Sequence, residues 1–293
     1  MDQALLVFIT VADKQSFTRA AEELHMTQPA VSQYVQTLER TYGTRLLERG
    51  GKRVRLNKAG EIIYHHAKEI VGLYARMSDL VDDLMNQASG TLAIGASYTF
   101  GEYVLPGVIA RLQAKFPLIR PEIAIGNTRQ ISEGVAAGDL EIGVVEGEFR
   151  HEKLHVEPFA DDQMYIAAFA DHRLAAKERV RFAELTEEPW IVRESGSGTR
   201  EATEAMFDRF GRKPRRLMEF GSTQLIKESV EAGLGITLLS RWAIRKEIAL
   251  GSMVVLDVEG LPVSRRFSVV ARDTPFHTRA SVVFRELLLE TTD

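Results

Sequence analysis

Not one cysteine occurs among the 293 residues. That excludes disulfides, thiolate metal sites and a cysteine nucleophile, and it fits a reducing compartment. No apolar run reaches the roughly 20 residues that a membrane span requires. The first residues, MDQALLVFITVADKQSF, lack a basic leader and meet polar residues too early for a signal peptide. The expected location is therefore the cytoplasm, with no membrane partner. Net positive charge is missing too, because the formal total is −4. What is present is ordinary for a soluble globular protein: 45% hydrophobic and 27% charged residues, in a length that suggests two or three domains.

The negative total hides a local excess. Lys14, Arg19, Arg40, Arg45, Arg49, Lys52, Arg53, Arg55 and Lys58 are opposed between positions 14 and 58 by Glu22, Glu23, Glu39 and Glu48, a local charge of +5. The remainder is correspondingly acidic, so whole-chain charge is a poor guide to partners. Inside this basic stretch Phe17, Ala20, Ala21 and Leu24 recur at helical spacing. His25 and Met26 interrupt the pattern. Thr27 then suits an N-cap, and Pro29 sits where a first helical turn tolerates a missing N–H. Val31, Val35 and Leu38 form the apolar stripe of the next helix, leaving Gln28, Ser32, Gln33 and Gln36 on the other face.

That division predicts a recognition helix. One face buries on its own domain, while short hydrogen-bonding side chains meet base edges in the major groove. The candidate DNA-contacting residues are Thr27, Gln28, Pro29, Ser32, Gln33 and Gln36, followed by Arg49 and Arg53 in a basic wing around Gly50-Gly51. A helix before this pair, with Leu5, Leu6, Phe8, Ile9 and Ala12, would brace it. After the wing, Glu61 to Gln87 reads as one long helix, with Ile63, Ala67, Ile70, Tyr74, Met77, Val81 and Leu84 in four-three alternation. Such a seam fits a dimerising linker; the alternative is a helix packed on its own C-terminal domain. Dimerisation would set two recognition helices on a dyad-symmetric operator in double-stranded DNA.

From Thr91 the periodicity alternates between strand and helix. TLAIGAS, RPEIAIGN and EIGVVEG read as strands, with GEYVLPGVIARLQAKF and TRQISEGVAAG as the helices between them, a β–α repeat with parallel strands. HVEPF, MYIAAFA, PWIVRES, RLMEFGS, GITLLSR, VVLDV and RRFSVVARD read as further strands. TREATEAMFDRFG, TQLIKESVEAG and FHTRASVVFRELLLE read as helices. The expected body is two α/β lobes, whose ligands bind beyond the carboxyl ends of strands. Three polar loops lie at such ends: Ser97-Tyr98-Thr99, Asn127-Thr128, and Ser195-Gly196-Ser197-Gly198-Thr199-Arg200. Glycines admit close approach of backbone N–H groups and hydroxyls add donors, so a cleft for a small anion is expected. Each hydroxyl could instead be a plain N-cap, and Arg200 could instead pair with an acid on the lobe surface.

Enzyme motifs do not hold up. His151-Glu152-Lys153-Leu154-His155 matches the H-E-x-x-H pattern, but Pro158 follows and the flanks read as strand, so the histidines would not converge as helical zinc ligands do. Gly233-Leu234-Gly235 follows a helix and lacks a third glycine. No catalytic or metal-binding residue is expected, and no cofactor.

The segments SFTRAAEELHMTQPAVSQYVQTLE, YGTRLLER and VRLNKAGE resemble the N-terminal domain of LysR-type transcriptional regulators, with Gln33, Leu47 and Asn57 as departures, and the resemblance spans essentially the whole chain. It implies an α/β protein with an N-terminal winged helix-turn-helix plus linker helix, then a two-lobed α/β effector-binding domain resembling periplasmic binding proteins. The boundaries read as 1–60 for DNA binding, 61–90 for linker and hinge, and 91–293 for the effector domain. Lobe one would take 91–161 and 269–293, and lobe two 162–268, the chain crossing between lobes twice. The resemblance further implies a homodimer that pairs into a homotetramer, with RNA polymerase as a candidate partner. SYTFGEYVLP, RESGSGTR and GSTQLIKESVEAGLGITLLSRW are similar to the branch governing sulfur, selenium or carbon assimilation, which implies an effector such as sulfate or sulfite. Outside that family, the same body would suit a solute-binding protein or an enzyme, with the N-terminal domain acting in protein association.

Overall fold

The computed structural model describes residues 3–48, 54–85, 88–148, 150–274 and 276–290. They divide into two compact units, Met1–Met85 and Asn86–Asp293. In the first, α1 (Gln3–Lys14) buries Leu5, Val7, Phe8, Ile9 and Val11. α2 (Phe17–Glu23) begins at Ser16, whose hydroxyl accepts from the Arg19 amide, and buries Ala20 and Ala21. His25 bends the chain through a left-handed conformation at φ +52°. α3 (Gln28–Thr41) then opens on Thr27, which accepts from the Ala30 amide at 3.4 Å. Val31, Val35 and Leu38 point into the same core as α1 and α2.

The wing is a minimal antiparallel pair, β1 (Leu47–Glu48) with β2 (Arg55–Leu56). Glu39 of α3 anchors it, accepting from the Leu46 amide at 2.9 Å. α4 (Lys58–Met85) follows under an Asn57 cap that accepts from Gly60 N at 2.8 Å. Gly60 has no substitute here: a Cβ would lie 2.0 Å from the Leu46 carbonyl oxygen. The seam of α4 divides in two. Ile63, Ala67 and Val71 pack on the core of this unit, whereas Ile70, Leu73, Tyr74, Met77 and Val81 are exposed.

The second unit is built on β3 (Gly90–Ser97), α5 (Tyr98–Tyr103), α6 (Leu105–Lys115), β4 (Ile119–Gly126), α7 (Thr128–Ala137) and β5 (Ile142–Glu146). β3 runs parallel to both β4 and β5. The single helix expected over 101–116 is two, because Pro106 in the first turn of α6 has no N–H to continue α5. A long strand follows, β6 (Leu154–Phe169), then α8 (Phe182–Leu185), β7 (Pro189–Arg193), α9 (Gly198–Arg209) and β8 (Arg216–Phe220). The remaining elements are α10 (Thr223–Glu231), β9 (Thr237–Ser240), α11 (Arg241–Leu250), β10 (Met253–Val255), β11 (Val263–Arg272) and α12 (Arg279–Leu289). The sequence reading did not include α11.

The main sheet has the order β10-β6-β11-β5-β3-β4, with β9 on β6, while β7 and β8 form a separate parallel pair. β6 and β11 are the two crossings, antiparallel to each other along their length. Two separate strands were expected where β6 is continuous. Pro158 and the acids after it look like a break, but Pro158 lies at the irregularity beside Phe267 and Ser268, where a missing N–H is tolerated. Membership of the cores changes between Ala160 and Met164 on β6, and between Val263 and Phe267 on β11. α12 packs Val283, Phe284 and Leu287 into the core of the first lobe, with β3 and α6.

Candidate functional site

In the first unit, the helical period of α3 separates the faces as its apolar spacing dictates. Thr27, Gln28, Pro29, Gln33 and Gln36 are exposed and Ser32 is half-buried, while the valines and Leu38 face inward. Among the described residues, the side chains of Gln28, Ser32, Gln33 and Gln36 take part in no internal hydrogen bond, which leaves their donors and acceptors for an external partner. Arg40, Arg45, Arg55 and Lys58 are exposed cations of the same unit. Arg49 and Arg53 lie outside the described residues.

In the second unit, the three polar loops meet where the lobes face each other, and what they meet is a carboxylate of the chain itself. Glu146, the last residue of β5, has its Oε1 bound by Ser97 Oγ at 2.8 Å, Thr99 N at 2.8 Å and Phe100 N at 3.3 Å. From the opposite lobe Thr199 Oγ1 donates to Oε2 at 3.4 Å. Arg265 of β11 closes the arrangement with Nη1 2.5 Å from Glu146 Oε2 and Nε 2.8 Å from Asp162 Oδ2. Its Nη1 and Nη2 also donate to Thr199 Oγ1 and Thr99 Oγ1 at 2.9 and 3.0 Å. Ser240 completes the Asp162 shell at 2.6 Å.

All these groups are buried. Burial pushes the Glu146 carboxyl up, yet Arg265 and the Ser97 and Thr99 donors outweigh it and hold the group below the usual carboxylate range. At Asp162 burial wins over Arg265 and Ser240, and the carboxyl is raised. The Arg265 guanidinium is stabilised as a cation despite its burial, by Glu146 and Asp162 together. Close approach is part of the design. A Cβ on Gly198 would stand 2.2 Å from the Glu146 carbonyl oxygen, so the amino end of α9 reaches β5 only with glycine there.

A second polar group lies beside the first. Arg193, the last residue of β7, is 1% exposed and stacks on the Tyr98 ring at 4.3 Å. It donates to Thr223 Oγ1 at 3.0 Å and grips Glu194 through Nε and Nη2 at 2.7 and 2.8 Å. Asn127 Nδ2 reaches across from the other lobe to Glu194 Oε1 at 3.1 Å, and Arg129 N donates to Gly196 O at 3.2 Å. Asn127 also caps α7 in a reciprocal box with Gln130. Thr128 donates to the Glu146 carbonyl at 3.1 Å, and Ser197 caps α9 by accepting from Thr199 N.

Ser97, Tyr98, Thr99, Asn127, Thr128, Gly196, Ser197, Gly198 and Thr199 are therefore gathered at one lobe boundary. Ser195 is exposed at its edge. Arg200 points away from it, held by Glu204 at 2.7 Å, Glu219 at 2.8 Å and the Arg193 carbonyl. A cavity of about 640 Å³ opens elsewhere, lined by Gly147, Arg150, His151, Pro158 and Arg266 among others. The H-E-x-x-H stretch straddles a turn and the start of β6, so its histidines share no helix.

Sequence reasoning missed Glu146, Asp162, Arg193, Glu194 and Arg265. A signal existed for two of them. IGVVE and PWIVR are apolar strands that end on a charge, and a charge at the ligand-binding end of a buried strand has to find a partner.

Two family models match. The bacterial regulatory helix-turn-helix domain of the lysR family covers residues 3–61, and the LysR substrate binding domain covers residues 85–293. The chain is 34% identical over 284 residues to the HTH-type transcriptional regulator CysL of Bacillus subtilis, covering 97% of this chain and 95% of that one. It is 33% identical over 285 residues to the RuBisCO operon transcriptional regulator of Allochromatium vinosum, covering 97% and 94%. Among solved structures, the regulatory domain of Synechocystis PCC6803 CcmR in complex with 2-PG superimposes with a TM-score of 0.65 at 28% identity, covering 70% of this chain and 98% of that domain. A helix-turn-helix unit with an outward polar face, joined to a two-lobed domain and matched over 97% of its length by the CysL and RuBisCO operon regulators, makes this chain a LysR-type DNA-binding transcriptional regulator, a family of regulators and not of enzymes.

Proposed function

We propose that this regulator reads a dyad-symmetric operator and answers to a small anion held between its lobes, controlling sulfur or related assimilation genes. Thr27, Gln28, Pro29, Ser32, Gln33 and Gln36 would contact the operator, with Arg49 and Arg53 on the phosphates. Ser97, Tyr98, Thr99, Asn127, Thr128, Ser195, Gly196, Ser197, Gly198, Thr199 and Arg200 were expected to frame the effector. The observation that carries the reading is the convergence of those loops, Arg200 apart, on a charged contact that joins both lobes. A ligand with different affinity for open and closed lobes can shift that contact, and through it the placement of the DNA-binding units.

The relatives support the biological setting: one is a RuBisCO operon regulator, and one regulatory domain is complexed with 2-PG. The acting species would be a homodimer joined along α4 and paired into a tetramer, cytoplasmic, with RNA polymerase as a further partner. No cofactor is required. A gel-shift titration with the gene's own upstream region, with and without sulfate, sulfite, phosphate and small carboxylates, tests the reading. A probe unmoved at low salt would sink DNA recognition, and shifts indifferent to every anion would sink the effector assignment.

A further inference from the structure

The donors around Ser97 hold Glu146, and Arg193 is a second buried cation at the same lobe boundary. One face of its guanidinium is covered by Tyr98 at 4.3 Å, and Nη1 is committed to Thr223 at 3.0 Å. Its remaining edge, Nε with Nη2, is the planar fork that matches two coplanar oxygens. Glu194 fills that fork, and the two partners are unequal: the Arg193 side chain is 1% exposed and that of Glu194 is 23% exposed. Glu194 borders solvent and can turn out into water when another anion takes its place, whereas Arg193 cannot leave and must keep an anion beside it. The place it would vacate lies between Arg193 of one lobe and Asn127 of the other.

We propose that Arg193, Thr223, Tyr98 and Asn127 form the effector subsite for a small organic anion with a carboxylate or phosphate head. Glu194 is the chain's own stand-in for that head group and is displaced on binding. The exchange keeps Arg193 neutralised and transfers the lobe-to-lobe link from Glu194 to the ligand. Affinity of the native chain is then a competition between two anions, and removing the internal one exposes the full strength of the site. This inference rests on the cleft being the effector site.

The test is calorimetry on the full-length protein with sodium phosphate, sulfate, acetate and succinate at matched ionic strength, with chloride as the reference. Glu194→Gln is expected to tighten binding of the preferred probe about tenfold, the competing charged hydrogen bonds being gone. Arg193→Gln and Thr223→Val are expected to weaken it by a similar factor. Phosphate responding while acetate and succinate do not would assign the head group as phosphate, and the reverse as carboxylate. A probe that binds the native chain, Glu194→Gln and Arg193→Gln alike overturns the subsite while leaving the effector reading intact. Absence of binding to both the native chain and Glu194→Gln overturns the two together. Should Arg193→Gln fail to fold, the opposed shifts expected of Glu194→Gln and Thr223→Val decide.

Discussion

Arg265 and Glu146 stand 2.5 Å apart on neighbouring antiparallel strands, both buried, and the guanidinium also reaches a threonine from each lobe. The pair therefore joins the two lobes at their boundary through the chain's own groups. Taking two charges out of water is costly, and removing one partner leaves the other stranded. Arg265→Met is expected to destabilise this unit by about 3–5 kcal/mol. Glu146→Gln and Arg265→Met combined should cost less than the two changes added. Urea unfolding followed by fluorescence of the buried Trp190 measures the cycle, and strict additivity would show that the pair is not coupled.

Acid should loosen the same contact. The folded protein holds the Glu146 carboxyl below its ordinary value of 4.5, so its stabilising contribution is complete above that pH and is lost as pH falls toward the depressed value. Asp162 acts in the opposite sense: its carboxyl is raised from 3.8, so folding is disfavoured as pH climbs through the raised value. Glu146→Gln should flatten the fall in melting temperature between about pH 5 and 3, whereas Asp162→Asn should not. Equal slopes in Glu146→Gln and the native chain would argue against an ionised Glu146 in the folded state.

On α3, replacing Gln28, Ser32 or Gln33 by alanine should lower specific affinity over non-specific affinity, by about 1–3 kcal/mol for a residue in bidentate base contact. Neutralising Arg49 or Arg53 should weaken both and reduce the salt slope by about one unit each. Gel shifts on operator and scrambled duplexes across a salt series separate the two classes. A uniform loss from the glutamine changes would refute base reading.

Tyr74 and Met77 lie on the exposed half of the α4 seam, at 41% and 57% exposure. Single solvated apolar side chains are common, but a run of them along one helix requires a cover. Met77→Glu should dissociate the oligomer, read by sedimentation, and should lower operator affinity through loss of the second recognition helix. An unchanged mass would place the interface elsewhere.

Much of the fold was legible because its signals are local. The Thr27 cap, the Val31–Val35–Leu38 stripe and the Ser197 cap each depend on residues within a turn or two of one another. Continuity of β6 was hidden for the opposite reason: Pro158 breaks a strand unless its partner offers an irregular place opposite it, and that partner lies over a hundred positions later, at Phe267 and Ser268. The candidate site was legible as loops but not as chemistry. Ser97, Thr99 and Thr199 were expected to await an external anion, and the anion that they hold is Glu146.

By itself the sequence determined most of the order of elements, α11, the unbroken β6 and the division between α5 and α6 excepted. It also determined the two-sided character of α3, the heptad seam of α4 and the family to which the chain belongs. Those follow from spacing along the backbone, where periodicity and capping act between near neighbours. Only the tertiary structure decided which charges meet. Glu146, Asp162 and Arg265 come from three different strands, and Arg193, Asn127 and Thr223 from different elements of both lobes. A buried charge can be kept only beside its partner, and which partner that is depends on how the sheet is threaded rather than on any stretch of sequence.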